Sequence, residues 1–319
     1  MSVKSFLKLV EIQTKVASII PFLLGTMFVL FYYDSFNLIN FLYMLVSLLC
    51  IDMCTTTINN YLDYKKANKK EGYGYESHNA IVRDNIKESS VLIVIFLLLT
   101  IAIVFGILLY LNTNIVVLII GAISFMIGIL YTFGPVPISR TPFGEILSGG
   151  TMGLVITFLA IYIHIYQENV IDISIINGLL KLEINYPTVL SILLIALPAT
   201  FGIANIMLAN NICDIEDDIV NKRYTLPIYI GKKVALVLYK VNYYLGYLAI
   251  IVAIILGLLP VISILALLTF FIVQKHINIF SEKQSKKETF VLTIKNFIIL
   301  NSALVLTIGL EIIIDSLFK

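Results

Sequence analysis

The sequence predicts an all-α, polytopic membrane protein with nine transmembrane helices. Of its 319 residues, 59% are hydrophobic and only 13% are charged, whereas about 25% of the residues of a soluble domain are charged. Mean hydropathy is +0.97. Nine stretches are long and apolar enough to span a membrane, because a hydrocarbon core about 30 Å thick takes about 20 helical residues to cross. We expect the whole chain, 1–319, to form one transmembrane domain.

The predicted helices follow one another with short interruptions. Backbone groups in lipid have to form hydrogen bonds within their own segment, so each apolar stretch is expected to be helical. Turn-forming residues separate several of them, as at Asn112 to Asn114, at GPVPISRTPFG (134–144) and at Pro260. The predicted spans are 16–33, 39–62, 90–111, 115–133, 145–166, 187–210, 234–256, 259–279 and 294–315.

Basic residues indicate the orientation of the chain. Cytoplasmic loops of membrane proteins are enriched in Lys and Arg. With the N-terminus inside, all of the 22 basic residues except Lys181 and Lys319 lie in or beside cytoplasmic segments. The sequence therefore predicts a multi-pass protein of the cell membrane with a cytoplasmic N-terminus. A net charge of only +2 gives no reason to expect a nucleic acid partner.

A polar motif occurs twice, each time near the cytoplasmic end of a predicted helix. The sequence reads INNYLDY at 58–64 and ANNICDI at 209–215. The matching residues, 151 positions apart, are Asn59, Asn60 and Asp63 in the first copy and Asn210, Asn211 and Asp214 in the second. The copies are four helices apart, so the chain runs in the same direction at both. This spacing predicts two parallel four-helix repeats followed by a ninth helix, with one site on the cytoplasmic side where the motifs meet.

The acidic residues of the motifs predict a magnesium site. Asp214 and Asp218 are one helical turn apart and point the same way if the helix continues. Neighbouring carboxylates are tolerable when a hard cation lies between them, and Mg²⁺ prefers one or two carboxylates together with water and phosphate oxygens. The expected carboxylate ligands are Asp63, Asp214 and Asp218, and the expected amide ligands are Asn59, Asn60 and Asn210.

Basic residues follow both motifs. Arg83 lies twenty residues after the first motif, and Lys222 and Arg223 follow the second. Guanidinium groups bind phosphate oxygens in a fork, and ammonium groups act as point charges. Together with Mg²⁺, these residues predict a site that binds a diphosphate and stabilises it as a leaving group. The apolar helices around such a site suit a lipid tail.

The motifs are also compatible with two different roles. Asn and Asp at a helix end can cap the helix or bind a neighbouring helix, although a duplicated motif with constant spacing favours a functional site. Transporters also contain intramembrane acids and internal repeats. Their binding sites usually lie near the bilayer midplane, whereas the acids of this sequence lie at one membrane face.

The motifs resemble those of the UbiA superfamily of intramembrane prenyltransferases, and within it the 1,4-dihydroxy-2-naphthoate polyprenyltransferases. The resemblance extends from about 10 to 315, and the second motif with the Lys-Arg-x-Thr-Leu after it is the most specific part. The matching segments are NNYLDYKKA at 59–67, AIVRDNIKES at 80–89, LYTFGPVPISRTPFGEI at 130–146 and NNICDIEDDIVNKRYTLPIYIGKK at 210–233.

The resemblance implies Mg²⁺-dependent transfer of a polyprenyl chain from a polyprenyl diphosphate to an aromatic acceptor, within membrane lipid. With 1,4-dihydroxy-2-naphthoate as the acceptor, the product is demethylmenaquinone of menaquinone biosynthesis. Prenylation of another aromatic acceptor is the alternative within the superfamily. A carbocation formed on the way is stabilised by an aromatic face, for which Tyr131 is the expected residue. Further candidates for contacts with the acceptor or the prenyl group are Tyr61, Asn211 and Glu145.

The first motif departs from the family pattern. The family usually has Asp where this chain has Asn60, and a further Asp where it has Ala67 or Lys69. Asp63 is the carboxylate that this copy retains. The departure leaves open a different metal number, metal affinity or acceptor.

Overall fold

The computed structural model of the protein describes residues 1–66, 79–134 and 137–318. Within these residues the chain is mostly helical and has one two-stranded antiparallel sheet. Ala67 and Lys69, where the family pattern has a further Asp, lie outside the described residues. The structure therefore bears on the first motif only as far as Lys66.

We number the helices α1 to α13 in chain order. Helix α7 contains a π-helical segment, Gly149–Val155, and α12 begins with a 3-10 segment, Val261–Thr269. The bounds are α1 Val3–Leu9, α2 Val16–Tyr32, α3 Leu38–Lys66, α4 Ala80–Arg83, α5 Glu88–Leu111, α6 Ile115–Thr132, α7 Gly144–Glu168, α8 Tyr186–Cys213, α9 Ile215–Val220, α10 Leu226–Ile230, α11 Lys232–Ile255, α12 Val261–Glu282 and α13 Phe290–Phe318.

Eight of the described helices are long and apolar enough to cross a membrane, so the protein is a multi-pass membrane protein. These eight are α2, α3, α5, α7, α8, α11, α12 and α13. Helix α6 coincides with the remaining predicted span, but its apolar stretch, Ile115–Tyr131, is shorter than the eight spans, the first of which extends over Ile12–Tyr32. The predicted count of nine crossings is therefore not confirmed, and for α6 it stays a prediction.

The all-α expectation needs one correction, because a β-hairpin connects α7 and α8. Strands β1 (Ile171–Ile176) and β2 (Leu179–Ile184) pair antiparallel. Asn177 and Gly178 form the turn, with φ angles of 52° and 76°. Positive φ at both central residues is the geometry of a type I′ turn, which Asn-Gly favours because it matches the twist of the strands.

Glycine allows α7 and α8 to approach very closely. A Cβ atom at Gly153 would lie 2.4 Å from Thr200 Cα, and one at Gly149 would lie 2.7 Å from Thr200 O. Small residues at such positions let helix backbones come together in a membrane. Because α8 ends with the second motif, this contact fixes the motif relative to α7.

The two halves of the chain use corresponding helix pairs. Helix α3, which carries the first motif, packs along α5, and α8, which carries the second, packs along α11. Helix α2 packs against α7, and α13 packs against both α2 and α8. These pairs are consistent with parallel repeats, and the repeat arrangement stays a prediction.

Candidate active site

A cavity of about 920 Å³ lies between the helices that carry the two motifs. Asn59 and Asp63 of α3 line it on one side, and Asn210 near the end of α8 lines it on the other. Arg223, which follows α9, also lies in its wall. The two copies of the motif, far apart in the sequence, therefore border the same space.

In the second motif, Asp214 forms an ion pair with Lys286. The Lys286 ammonium also donates a hydrogen bond to Asn210, with 2.7 Å between Nζ and Oδ1. Lys286 lies between α12 and α13, and Phe290, the first residue of α13, lines the cavity. A carboxylate and an amide oxygen that were predicted to bind a metal thus converge on one positive charge.

Asp218 is buried, with 4% of its surface exposed, and it pairs with Arg223. Its Oδ1 lies 3.4 Å from Arg223 Nε, and its Oδ2 accepts a hydrogen bond from Thr225 Oγ1 at 3.2 Å. Burial raises the pKa of the Asp218 carboxyl, and the Arg223 guanidinium opposes that rise. Arg223 also donates from Nη2 to Ser139 O at 3.5 Å, which connects the second motif to the segment before α7.

The sequence prediction missed two basic residues. Lys286 contacts both Asn210 and Asp214, and Arg140 lines the cavity between α6 and α7. Both belong to segments that the charge pattern places on the same membrane face as the motifs. That pattern could have identified them as candidates, but it gave no means of choosing them from the other basic residues on that face.

Asn60 lies outside the cavity wall and holds the N-terminal segment. It is 7% exposed, and its Nδ2 donates to Leu9 O at 2.9 Å and to Glu11 Oε1 at 3.2 Å. Its own backbone oxygen accepts a hydrogen bond from Asn79 Nδ2 at 2.9 Å. Leu9 O and the Glu11 carboxylate both require a donor at position 60, which Asn provides and an ionised Asp does not. The structure therefore gives no support to a metal-binding role of Asn60.

We expect Asn60→Asp to destabilise the protein by about 2 kcal/mol, because it puts a buried carboxylate beside two acceptors. Thermal unfolding in detergent measures this loss. Combining it with Glu11→Gln restores a donor between the two side chains and is expected to recover part of the stability. Equal unfolding temperatures for the wild type and Asn60→Asp would contradict this role of Asn60.

Tyr61, Arg83 and Lys222 are three further predicted contacts that lie outside the cavity wall. The Tyr61 hydroxyl donates to Glu88 Oε1 at 2.6 Å. Arg83 Nε donates to Asp84 Oδ1 at 2.7 Å, and this hydrogen bond lowers the pKa of the Asp84 carboxyl. Lys222 is exposed after α9. The structure gives no support to a direct contact between these residues and a molecule in the cavity, and their roles stay predictions.

Tyr131 lines the cavity, whereas Glu145 and Asn211, the remaining candidates for contacts with the acceptor or the prenyl group, do not. The Tyr131 hydroxyl donates to Met207 Sδ at 3.0 Å. Glu145 and Asn211 are both buried, and Asn211 Nδ2 donates to Glu145 Oε1 at 2.8 Å. Their hydrogen bond connects the start of α7 with the end of α8, and their contact with the acceptor or the prenyl group stays a prediction.

Away from the motifs the cavity wall is mostly apolar. One exception is Asp52, whose Oδ1 lies 2.6 Å from the buried ammonium of Lys15. Asp52 Oδ2 also accepts a hydrogen bond from Ser18 at 2.6 Å, and so α2 and α3 are tied together. The apolar part of the wall suits a hydrocarbon chain and includes Ile103, Val117, Phe125, Val155 and Leu159.

The carboxylate and amide oxygens of the motifs fit a magnesium ion that is shared with a substrate. Among the described residues, no three His, Cys, Asp or Glu side chains form a metal-binding group by themselves. Mg²⁺ is commonly held by one or two carboxylates, with water and phosphate oxygens in the other positions. Asp214, Asp218 and Lys286 lie beside the cavity rather than in its wall. The Lys286 ammonium between Asp214 and Asn210 indicates that this position next to the wall stabilises a cation.

Comparison with known proteins identifies the family. Residues 18–300 match the UbiA prenyltransferase family. A relative from Bacillus subtilis (strain 168), a 1,4-dihydroxy-2-naphthoate octaprenyltransferase, is 33% identical over 246 residues, which are 77% of this chain and 72% of the relative.

Solved structures show the same fold. A UbiA homolog from Aeropyrum pernix K1 matches with a TM-score of 0.65 and 16% identity, over 96% of this chain and 98% of that one. A UbiA homolog from Archaeoglobus fulgidus, bound to GPP and Mg²⁺, matches with a TM-score of 0.62 and 15% identity, over 97% of this chain and 99% of that one. With the family match and the Bacillus subtilis relative, these findings establish that the chain is a prenyltransferase of the UbiA family.

Proposed function

We propose that the protein transfers a polyprenyl chain from a polyprenyl diphosphate to 1,4-dihydroxy-2-naphthoate. The observation that carries this proposal is one cavity bordered by both motifs, with Arg140 and Arg223 in its wall and apolar helices around the rest. Such a cavity suits a substrate with an anionic head and a hydrocarbon tail. The relative that is named a naphthoate octaprenyltransferase supports the acceptor.

The motif residues would bind the diphosphate head. Asp63 and Asp214, with the amide oxygen of Asn210, would hold magnesium, which supplies positive charge to the leaving group when it is bound. Arg223 and Lys286 would bind phosphate oxygens directly. The Lys286 ammonium contacts Asp214 and Asn210, and it would turn from them toward the phosphate oxygens when the diphosphate binds.

Asp218 would act on Arg223. The carboxylate lies 3.4 Å from Arg223 Nε, and the hydrogen bond from Thr225 fixes its orientation. An oriented guanidinium loses less conformational freedom when it binds phosphate. In this proposal Asp218 positions the arginine, and Asp63 and Asp214 are the main carboxylates for the metal.

The reaction would proceed by breaking the allylic C–O bond. Diphosphate leaves with the electron pair of that bond, and the π face of Tyr131 stabilises the positive charge on the allylic carbon. A ring carbon of the electron-rich acceptor forms the new C–C bond with the first carbon of the prenyl chain. Attack occurs at the ring carbon that bears the carboxylate, which then leaves as CO2, and the electron pair of the broken C–C bond restores the aromatic ring. The product is a prenylated naphthalenediol, the reduced (quinol) form of demethylmenaquinone.

The location of the site follows from the same proposal. The motifs, Arg140 and Lys286 lie on the membrane face where Lys and Arg are abundant in the sequence. We place this face toward the cytoplasm of a cell membrane, since cytoplasmic loops are rich in basic residues. The transporter alternative has no comparable support, because the chain belongs to a prenyltransferase family.

The test is an acceptor panel with purified protein in lipid nanodiscs. The assay contains Mg²⁺, one long-chain allylic diphosphate, and 1,4-dihydroxy-2-naphthoate with a labelled carboxylate. We expect labelled CO2, diphosphate and prenylated product in equal amounts, and we expect a chelator to stop all three. Parallel assays use 4-hydroxybenzoate and homogentisate. Efficient prenylation of either of these, without turnover of the naphthoate, would overturn the proposed acceptor and leave the family chemistry intact.

Lys286→Met is expected to raise the KM for the allylic diphosphate about tenfold, a loss of about 1.4 kcal/mol in binding. The reason is the loss of one positive charge at the phosphate oxygens, and kcat is expected to change less. The matched control is Lys287→Met, because Lys287 is the adjacent exposed lysine. Steady-state kinetics at saturating acceptor measure both variants. An unchanged KM in Lys286→Met would exclude the proposed phosphate contact.

A further inference from the structure

The hairpin between α7 and α8 has one apolar face. Residues that are opposite each other in an antiparallel pair place their side chains on the same face of the sheet. The register therefore puts six aliphatic residues on one face, namely Ile171, Ile173, Ile175, Leu180, Leu182 and Ile184. The other face is polar over most of its length and carries Asp172, Ser174, Lys181 and Glu183.

Most of the apolar face is not covered by protein. Ile175, Leu180 and Leu182 expose 76%, 74% and 57% of their surface. At the base of the hairpin, Ile171 and Ile173 pack against the hydrophobic core. The hairpin is thus attached at its base and exposes aliphatic side chains toward its turn.

Both ends of the hairpin join helices that are able to span a membrane. Helix α7 ends at Glu168, three residues before β1, and α8 begins at Tyr186, two residues after β2. Helix α8 carries the second motif at its other end, so the hairpin lies at the membrane face opposite the motifs. This position brings the strands close to the boundary between lipid and water.

We propose that the apolar face of the hairpin lies in the lipid bilayer interface, with its polar face toward the water. A two-stranded hairpin alone is marginally stable in water, and an exposed apolar strand favours aggregation. Contact with acyl chains removes these side chains from water, which stabilises the hairpin. Lipid fits better than a second copy of the chain, because the hairpin is joined at both of its ends to helices that themselves span the lipid.

The chain contains no tryptophan, so a single Trp reports on one position. Leu180→Trp and Leu182→Trp place the probe on the apolar face, and Lys181→Trp is the matched control on the polar face between them. Each full-length variant is reconstituted into phosphatidylcholine nanodiscs, with and without lipids brominated near the carboxyl end of the acyl chain. Aqueous iodide quenching is measured in parallel. Prenyl transfer at the wild-type rate verifies that each variant is folded, since the hairpin is distant from the site.

We expect brominated lipid to quench Leu180→Trp and Leu182→Trp about threefold more than Lys181→Trp, since interfacial elements lie roughly 5–10 Å into the headgroup and acyl boundary. Iodide is expected to show the opposite order. Equal iodide quenching at all three positions would overturn the proposal. Protection of the apolar face from both quenchers would also overturn it, because protein, such as a second copy of the chain, would then cover that face.

Discussion

Asp214→Ala is expected to lower kcat/KM for prenyl transfer by about three orders of magnitude, a loss of about 4 kcal/mol in transition-state stabilisation. Asp214 is a carboxylate of the second motif, and it forms an ion pair with Lys286 beside the cavity. Its removal takes away negative charge that would hold magnesium on the diphosphate. Steady-state kinetics across a range of Mg²⁺ concentrations measure the loss, and excess Mg²⁺ is expected to recover only a small part of it.

Asp217→Ala is the matched control for this variant. Asp217 lies in α9, the short helix that directly follows Asp214, but its side chain is exposed, whereas the Asp214 carboxylate pairs with Lys286 beside the cavity. We expect it to retain wild-type turnover and thermal stability. Turnover near the wild-type rate in Asp214→Ala would contradict the assignment of the second motif to the metal and the diphosphate. A loss in both variants would instead point to disruption of α9.

Gly153→Ala is expected to destabilise the protein by about 3 kcal/mol, at the upper end of the usual cost of overpacking. The added Cβ would lie 2.4 Å from Thr200 Cα and 2.6 Å from Thr200 N. Backbone atoms have no rotamer to change, so α7 and α8 have to separate. Because α8 ends with the second motif, turnover of the remaining folded protein is also expected to fall. Thermal unfolding in detergent and the specific activity of the purified variant measure the two effects.

Gly150→Ala is the control at a neighbouring position of α7. A Cβ atom at Gly150 meets no atom within 4 Å. Alanine is favoured over glycine in a helix by up to about 1 kcal/mol, so this variant is expected to be as stable as the wild type or slightly more stable. If both glycine variants unfold at the wild-type temperature, the close contact between α7 and α8 does not limit stability.

The spanning helices could be predicted because lipid imposes a simple requirement. The backbone N–H and C=O groups of a long apolar run have to form hydrogen bonds within the segment, which favours a helix. That requirement identifies α3 and α8 without knowledge of their neighbours. The convergence of Asp63 and Asn210 could be predicted for a related reason. A repeated motif at the same end of two helices places both copies at one membrane face, and the structure puts these residues in one cavity.

The hairpin was missed although the sequence contains a signal for it. Asn177 and Gly178 lie between two apolar runs, and Asn-Gly in that setting is typical of a type I′ turn. In a chain with so many apolar residues, the alternation of six aliphatic positions with polar ones is easily overlooked. A criterion based only on the length of apolar runs assigns this segment to a connecting loop. Such a criterion does not detect apolar and polar residues that alternate with a period of two, as in a strand.

The contacts of Asn60 and Lys286 could not be predicted from the sequence. Asn60 has the same place in its motif as Asn211, but its partners are Leu9 and Glu11, in a segment with no fixed spacing to the motif. Lys286 lies 76 residues from Asn210, in a linker that contains other lysines. Such pairings depend on how separate segments pack, and a motif carries no information about that packing.

The position of Lys286 indicates that the last helix, α13, and the linker before it contribute to the site. Both motifs lie before α11, and so the predicted pair of four-helix repeats would contain them without α13. The linker to α13 nevertheless supplies an ammonium to Asp214, and α13 itself supplies Phe290 to the cavity. A chain that ended before Lys286 would keep both motifs, but it would lose this ammonium and the part of the reaction chamber that Phe290 forms.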